Sequence, residues 1–324
     1  MKTYFFTTKG VVKAVDGVNL IIRKGESVGL VGESGSGKST IGLSIIRLIP
    51  FPGRIIDGEI KFHDENLLEK SEKEIRQIRG SKIGMCFQDP LTYLNPVISV
   101  GGQIAECIEA HRDINKKESM KEAINMLELV NISDPMERAK DYPFQLSGGM
   151  RQRVMIALAI SCNPELFIAD EPTTAVDVIV QRQILELLRD LKNELNMSLL
   201  LITHDIGIVA ELCDKVAVMY AGRIVEFGDA ETIFPSKSSR HAIHPYTTDL
   251  LNSIPQLDKK SQNLVSIKGV VPDMINPPSG CRFHPRCPYV IDLCIEKNPE
   301  LIEIESGHLV ACHLSDLLLK EEAK

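Results

Sequence analysis

The sequence predicts an α/β fold with a mainly parallel core sheet, and three observations predict it. Short, continuous apolar runs recur along the chain, as strands buried on both faces require. Segments with helical spacing of apolar residues lie between these runs. One apolar run leads directly into a glycine-rich loop and then into a helical segment.

The elements can be placed along the chain from these patterns. We expect strands at Ser27–Val31, Leu166–Ala169, Leu199–Thr203 and Lys215–Tyr220. We expect helices at Ser39–Leu48, Met150–Ser161 and Val180–Leu195. Residues 97–141 carry helical periodicity, for example at Met120–Val130, and little strand signal, which predicts a helical insertion.

Composition changes near Phe234–Arg240, where Pro, Ser and Lys accumulate, and this predicts a domain boundary. We therefore expect one domain over residues 1–235, with a helical subdomain at about 90–163. Residues 236–324 are expected to form a small, irregular C-terminal extension, because Pro, Asn, Ser and Gln are frequent in residues 251–278.

Charge and hydropathy exclude some classes of protein. The 324 residues carry a net charge of −7, and an acidic chain without a basic stripe is a poor candidate for binding nucleic acid. No segment reaches the ~18 consecutive apolar residues of a membrane span. The N-terminus lacks the pattern of a signal peptide. We expect a cytosolic protein unless a partner recruits it to a membrane.

The glycine-rich loop at Gly32–Thr40 fits the phosphate-binding pattern G-x-x-x-x-G-K-[ST]. Glycines let the backbone wrap around phosphate with its N–H groups pointing inward, and the following helix adds its positive N-terminal end. Lys38 is expected to reach the β- and γ-phosphates of ATP, and the Ser39 hydroxyl to bind Mg²⁺. The predicted ATP-binding residues of the loop are Gly32, Glu33, Ser34, Gly35, Ser36, Gly37, Lys38, Ser39 and Thr40.

Two acidic residues end the apolar run that begins at Leu166. In proteins with a phosphate-binding loop, an aspartate at such a strand end helps to hold Mg²⁺, and we give Asp170 that role. Glu171 follows it and is predicted to orient or polarise the attacking water. Taken alone, this pattern is equally typical of solvated loop residues; the upstream loop makes it a predicted hydrolytic site.

Four further motifs resemble those of ATP-binding cassette (ABC) proteins over residues 1–235. The motifs are Phe87-Gln88-Asp89-Pro90 (Q-loop), Leu146-Ser147-Gly148-Gly149-Met150-Arg151-Gln152-Arg153 (signature), Ala175-Val176-Asp177 (D-loop) and Thr203-His204-Asp205 (switch histidine). The resemblance implies an ABC-type fold and an ATPase that works as a head-to-tail dimer. Met150 stands where many ABC proteins have Gln, a change that leaves the backbone donors in place.

The resemblance also implies roles for individual residues. Ser147, Gly148 and Gly149, with Asp177, would contact the ATP bound to the partner subunit; a simple helix N-cap at Ser147 is the alternative. His204 would sense the γ-phosphate.

Gln88 would contact Mg²⁺ or the attacking water, so Ser39, Gln88 and Asp170 are the predicted Mg²⁺ ligands. In this family, adenine stacks on an aromatic residue upstream of the loop, for which Phe5 is the first candidate and Tyr4 the second.

The stretch Phe87–Pro96 and the segment His244-Pro245-Tyr246-Thr247 resemble the ATPases of dipeptide and oligopeptide importers. This resemblance covers nearly the whole chain. It implies a subunit bound peripherally to the cytoplasmic face of the cell membrane. The implied partners are a second ABC ATPase subunit, identical or not, two transmembrane permease subunits and, indirectly, an external peptide-binding protein.

Four cysteines near the C-terminus, Cys281, Cys287, Cys294 and Cys312, are spaced C-x5-C-x6-C-x17-C. Four thiolates suit a tetrahedral metal ion or an iron–sulfur cluster, and the spacing alone does not choose between them. Some dipeptide-importer ATPases carry a [4Fe–4S] cluster on similar cysteines, so the resemblance favours that cofactor. Zinc is the second candidate, since His284, His308 and His313 lie nearby in the sequence, and four unligated thiols are the third.

Two other functions are compatible with an ABC cassette. One is a soluble ABC ATPase acting on DNA or the ribosome, which usually carries long coiled-coil insertions or two cassettes in one chain. The other is a partner subunit that binds ATP without hydrolysing it, which typically lacks the catalytic glutamate or the switch histidine. This chain has Glu171 and His204 and carries neither coiled-coil heptads nor a second cassette, so we favour the transport ATPase.

Overall fold

The computed structural model describes residues 1–174, 176–234, 242–253 and 267–315. The predicted domain boundary after residue 235 and the D-loop residue Ala175 lie outside the described residues. The strands are, in chain order, β1 (Lys2–Thr7), β2 (Gly10–Asp16), β3 (Ser27–Val31), β4 (Gly53–Asp57), β5 (Lys61–Phe62), β6 (Glu65–Asn66), β7 (Ile83–Cys86), β8 (Leu166–Asp170), β9 (Ser198–Ile202), β10 (Lys215–Tyr220), β11 (Arg223–Asp229), β12 (Ile302–Glu305) and β13 (His308–Val310).

The α-helices are, in chain order, α1 (Lys38–Ile45), α2 (Glu72–Ile78), α3 (Pro90–Tyr93), α4 (Val100–His111), α5 (Lys116–Leu129), α6 (Pro135–Arg138), α7 (Gly148–Ile160), α8 (Val178–Leu195), α9 (Ile206–Leu212), α10 (Ala230–Ile233), α11 (Pro245–Asn252) and α12 (Asp292–Glu296). Short 3₁₀ turns occur at Pro143–Gln145 and His284–Arg286. The predicted helical content of residues 97–141 is confirmed, because α4, α5 and α6 lie there without an intervening strand.

The chain divides into two compact units. Unit 1 comprises Met1–Ile21, Val28–Lys61 and the described residues of Thr203–Lys324, and unit 2 comprises Ile22–Ser27 and Phe62–Ile202.

In unit 1, β10 pairs in parallel with β3 and antiparallel with β11. The antiparallel strands β13 and β12 continue from β11. A separate antiparallel sheet has the order β2-β1-β4. Strand β3 is buried at every residue, which explains its unbroken apolar sequence. The antiparallel strands β11, β12 and β13 were not predicted.

In unit 2, β7, β8 and β9 pair in parallel, in the order β9-β8-β7. Helix α8 connects β8 to β9, and its buried residues Ile184, Leu188 and Leu191 recur at helical spacing. All four residues of β7 and all five of β9 are buried. The parallel arrangement brings the ends of β7 and β8, where Gln88 and Glu171 follow, to the same edge.

Candidate functional site

The phosphate loop joins β3 to α1 in unit 1, as predicted. Two of its glycines occupy positions closed to other residues: Gly32 has φ 153° and Gly37 has φ 104°. A Cβ atom at Gly32 would lie 2.1 Å from the Met219 carbonyl oxygen, and one at Gly37 would lie 2.0 Å from that of Ala14. These positions therefore require glycine for the backbone path and not only for flexibility.

Lys38 reaches back across the loop from the start of α1. Its Nζ donates to the carbonyl oxygens of Gly32, at 2.8 Å, and Glu33, at 3.1 Å. Its side chain is buried, so the ammonium group is held near the loop rather than in solvent. Ser34 and Gly35 are exposed at the tip of the loop.

The loop also contains hydrogen-bond donors that could bind a ligand: the first N–H groups of α1 and the Ser36 hydroxyl. Helix α1 has Gly37 as its N-cap and no side-chain cap, so its first N–H groups lack the usual side-chain acceptor. The Ser36 hydroxyl is 1% exposed and finds no hydrogen-bond partner among the described residues. An uncapped helix start beside a buried, unpaired hydroxyl and an ammonium group suits the phosphates of a nucleotide. Ser39 and Thr40 lie in the first turn of α1.

The two aromatic candidates for adenine lie on β1, also in unit 1. They are adjacent in the strand, so their side chains leave it on opposite faces. Tyr4 donates its hydroxyl to Asp16 Oδ1 at 2.6 Å, and burial together with that bond raises the pKa of Tyr4 to about 12. Phe5 packs towards Gly53, where an added Cβ would lie 2.7 Å from the Phe5 ring.

His204 follows β9 and precedes α9, the position expected for a switch histidine, and its side chain is exposed. The next residue, Asp205, caps α9 by accepting the Gly207 N–H at 2.8 Å and the Ile208 N–H at 3.3 Å. The local order of strand, histidine and capped helix thus matches the predicted motif.

The carboxylate predicted to be catalytic is held firmly within unit 2. Glu171 follows β8 with φ 46°, a left-handed conformation that is uncommon for a non-glycine residue and is often found at functional sites. Its N–H donates to the Ile202 carbonyl oxygen at 2.8 Å. Gln88 Nε2 donates to Glu171 Oε2 at 2.9 Å, and the Thr174 hydroxyl donates to the same oxygen at 2.8 Å.

This arrangement brings two of the predicted residues, Gln88 and Glu171, into contact beside the buried Asp170. Two donors on one carboxylate oxygen fix its orientation, as a group that positions a water molecule requires. Thr174 was missed by the sequence analysis, although its spacing of three residues from Glu171 was a usable signal.

Ser147 and Asp177 are helix N-caps in unit 2. Ser147 Oγ accepts the Met150 N–H at 3.3 Å, and Asp177 Oδ1 accepts the N–H groups of Ile179 and Val180, each at 3.0 Å. Gly148 is exposed and has open space where a Cβ would be added. The N-cap alternative for Ser147 is therefore seen in this chain, and contact with a partner's nucleotide stays a prediction for Ser147, Gly148, Gly149 and Asp177.

The cysteine prediction needs correction. Cys281, Cys287, Cys294 and Cys312 line one cavity, but its volume is only about 10 Å³, the space of about one water molecule. Burial raises the pKa of Cys287 to about 11 and that of Cys312 to about 12.

Across the described residues, no group of three or more His, Cys, Asp or Glu side chains is arranged to hold a metal ion. The predictions of a [4Fe–4S] cluster and of zinc as its alternative are therefore wrong. The four cysteines are free thiols in a small packed region. No helix in the described part of the chain has the length and apolar character to cross a membrane.

Two other residues were missed. Tyr246 and Arg286, from the C-terminal part of unit 1, both contact Glu33 of the phosphate loop. No sequence motif marks Arg286, and Tyr246 is marked only as part of the family-like segment His244-Pro245-Tyr246-Thr247.

Comparison with known proteins identifies the family. Residues 15–174 match the family model described as ABC transporter, and residues 225–294 match the model described as oligopeptide/dipeptide transporter, C-terminal region. The chain is 48% identical over 98% of its length to a probable peptide ABC transporter ATP-binding protein of Sinorhizobium fredii, of which the match covers 93%.

Two further relatives have similar names and coverage. The oligopeptide transport ATP-binding protein AppD of Bacillus subtilis is 50% identical, over 97% of this chain and 94% of its own. The dipeptide transport ATP-binding protein DppD of Escherichia coli is 47% identical, again over 97% of this chain and 94% of its own. These matches favour the transport ATPase over a soluble ATPase acting on DNA or the ribosome.

The fold is shared with solved structures. A dimeric post-hydrolysis structure of the ATP-binding cassette MJ0796, bound to ADP and phosphate, is 28% identical. It aligns with a TM-score of 0.63 over 71% of this chain and 99% of its own. The chain belongs to the ABC transporter family, among the ATP-binding subunits of oligopeptide and dipeptide transporters.

Proposed function

We propose that this chain hydrolyses Mg-ATP to drive peptide uptake, as the motor subunit of an importer for dipeptides or oligopeptides. The observation that carries the proposal is the Gln88–Glu171–Thr174 hydrogen-bonded group in a chain whose relatives match along nearly its full length. A chain that only bound ATP would not need a carboxylate held in this way.

In this proposal, Gly32–Thr40 binds the phosphates of ATP through its backbone N–H groups, and Lys38 supplies positive charge to them. Glu171 orients the attacking water and accepts its proton, with Gln88 and Thr174 keeping the carboxylate in place. His204 senses the γ-phosphate, and Phe5, or failing it Tyr4, supports the adenine ring.

Mg²⁺, when bound, neutralises charge on the β- and γ-phosphate oxygens. Ser39, Gln88 and Asp170 are the residues we propose to hold it. Each offers an oxygen, and oxygen is the ligand atom that Mg²⁺ prefers.

The working unit is proposed to be a pair of ABC ATPase subunits, identical or not. Ser147, Gly148, Gly149 and Asp177 of one subunit would close over the nucleotide of the other. Two transmembrane permease subunits would hold the pair at the cytoplasmic face of the membrane, and an external protein would deliver the peptide. Residues 1–235 form the proposed ATPase domain, with a helical subdomain at about 90–163, and residues 236–324 the extension.

The test is reconstitution of the chain with its permease and ATPase partners in lipid vesicles. We expect Mg-ATP to drive accumulation of a labelled peptide, and the same assembly carrying Glu171→Gln to bind ATP without transport. Peptide accumulation that proceeds equally well in the Glu171→Gln assembly would contradict the proposed motor role.

A further inference from the structure

Glu33, the second residue of the phosphate loop, is held from the C-terminal part of unit 1. Arg286 donates from Nη1 to Glu33 Oε2 at 2.7 Å and from Nη2 to Oε1 at 3.2 Å, so the ion pair is bidentate. The Glu33 N–H donates to the Tyr246 hydroxyl at 2.9 Å. Both the side chain and the backbone of Glu33 are thus bonded to residues more than 200 positions away in the sequence.

Arg286 is fixed independently of Glu33. Its side chain is only 3% exposed, its Nε donates to the Lys268 carbonyl oxygen at 2.9 Å, and its guanidinium group lies 5.7 Å from the centre of the Tyr220 ring. Burial alone lowers the pKa of Arg286, but the bonds to Glu33 and Tyr220 outweigh burial and raise it overall. Arg286 is therefore a rigid, permanently charged group.

Glu33 also links Arg286 to Lys38. Its carbonyl oxygen accepts a hydrogen bond from Lys38 Nζ at 3.1 Å, and Lys38 bonds the neighbouring Gly32 carbonyl as well. A displacement of Glu33 would move an acceptor of the lysine that is proposed to bind phosphate. Lys38 and Arg286 therefore both form hydrogen bonds with Glu33.

Because Glu33 is negatively charged, its ion pair with Arg286 affects the charge of the loop as well as its position. A carboxylate in a loop that binds a polyphosphate repels its ligand, and the repulsion is strongest where solvent screens it least. The Glu33 side chain is 24% exposed, and the paired guanidinium group cancels its charge. Without Arg286, the loop would present an uncompensated negative charge to ATP.

We propose that Arg286 and Tyr246 are positioning residues for the phosphate loop and that they act through Glu33. The C-terminal part of unit 1, which carries both residues, thereby sets the affinity of the loop for Mg-ATP. The inference rests on the proposed assignment of Gly32–Thr40 as the nucleotide site. It gives the C-terminal region a role in nucleotide binding that none of its own motifs indicates.

The test measures Mg-ATP binding and hydrolysis by full-length variants. We expect Arg286→Ala to weaken Mg-ATP binding about tenfold, the size of effect typical for a lost charge-assisted hydrogen bond. The KM for ATP should rise by a similar factor while kcat stays within about twofold, since the loop holds phosphate equally before and during reaction. Tyr246→Phe removes the hydroxyl that accepts the Glu33 N–H, and it should weaken Mg-ATP binding by about two- to fivefold. This variant tests the same inference if Arg286→Ala does not fold.

A double-mutant comparison isolates the charge effect. In the double variant Glu33→Gln with Arg286→Ala, no carboxylate is left unpaired, so most of the affinity lost in Arg286→Ala should return. Independent, additive effects of the two substitutions would overturn the inference, because Arg286 would then not act through Glu33.

The matched control weakens another contact of the C-terminal part of unit 1. His308 Nε2 bonds Glu226 Oε1 on β11 at 2.8 Å, and both side chains are buried. His308→Gln should lower thermal stability without raising the KM for ATP. If His308→Gln and Arg286→Ala raise the KM equally, the role is structural only and the proposal fails.

Lys38→Ala separates this inference from the proposed function. Loss of Mg-ATP binding in Lys38→Ala, together with unchanged binding in Arg286→Ala and Tyr246→Phe, would overturn the inference and leave the loop assignment standing. Normal Mg-ATP binding in Lys38→Ala would instead remove the loop assignment on which the inference rests.

Discussion

The side-chain amide of Gln88 donates a 2.9 Å hydrogen bond to Glu171 Oε2, joining the residues that follow β7 and β8. The Thr174 hydroxyl donates to the same oxygen, so the carboxylate is oriented from two sides. A charged group held in this way loses little freedom when it acts on water, which is what preorganisation means in catalysis. The chemistry of the chain is therefore best tested at this group.

Glu171→Gln should abolish turnover and retain Mg-ATP binding. The amide keeps the shape of the side chain but has lost the basicity that a general base needs, so kcat should fall at least about 100-fold. We also expect the variant to accumulate as an ATP-bound dimer. Steady-state hydrolysis and gel filtration with Mg-ATP check both points, and undiminished hydrolysis would show that Glu171 is not the catalytic group.

Thr174→Val should lower kcat by about tenfold with little change in the KM for ATP. The substitution removes one charge-assisted hydrogen bond to Glu171 while keeping the side-chain volume. The adjacent Thr173→Val is the matched control and should hydrolyse ATP at close to the wild-type rate. Equal losses in the two variants would mean that the segment, and not the hydroxyl of Thr174, is responsible.

Lys38→Ala should abolish productive nucleotide binding. The ammonium group is the only cation of the Gly32–Thr40 loop, and it also bonds the Gly32 and Glu33 carbonyl oxygens. Binding of a fluorescent ATP analogue, displaced by unlabelled ATP, measures the effect. An affinity equal to that of the wild type would contradict the assignment of the loop.

His244 should make the folded protein less stable as the pH falls below about 6.5. It is buried beside Glu226, its Nδ1 accepts the Tyr246 N–H at 3.1 Å, and burial lowers its pKa to about 4. Between about pH 6.5 and 4, the unfolded chain takes up a proton that the folded chain does not. The free energy of unfolding should therefore decrease on acidification, by up to about 3 kcal/mol from this group.

Urea unfolding of wild type and His244→Asn between pH 7.5 and 5 measures this contribution. Asparagine retains an acceptor for the N-terminus of α11 but does not titrate. The variant should therefore lose less stability over this range than the wild type. Parallel pH dependence of the two proteins would show that His244 does not remain neutral in the folded state.

Local pattern predicts β3, β8 and β9, but it predicts neither β1, which carries Tyr4 and Phe5, nor β7, which precedes Gln88. The predicted strand Ser27–Val31 has the same bounds as β3, and the predicted strand Leu199–Thr203 differs from β9 by one residue at each end. These strands are buried on both faces, so their apolar runs are continuous and easily recognised. Strands β12 and β13 have only four and three residues, and they are strands because β13 pairs with β11 and β12 pairs with β13.

The cysteines show the limit of reasoning from spacing. Their number and separation indicated a metal centre, but ligation depends on how thiolates are directed and on the space between them. The folded chain leaves these four thiols around a cavity too small for a cluster. Spacing along the chain does not contain that information.

The Gly32–Thr40 loop, the acidic end of β8 and the family-like motifs could be recognised from the sequence because each is a short segment whose chemistry depends on neighbouring residues. The distant partners of those motifs could not be recognised in this way. Arg286 and Tyr246, which bond Glu33, were assigned by the tertiary structure alone. Arg286 lies 253 residues from Glu33, and a hydrogen bond at that separation is specified by the packing of the whole unit and by no local pattern.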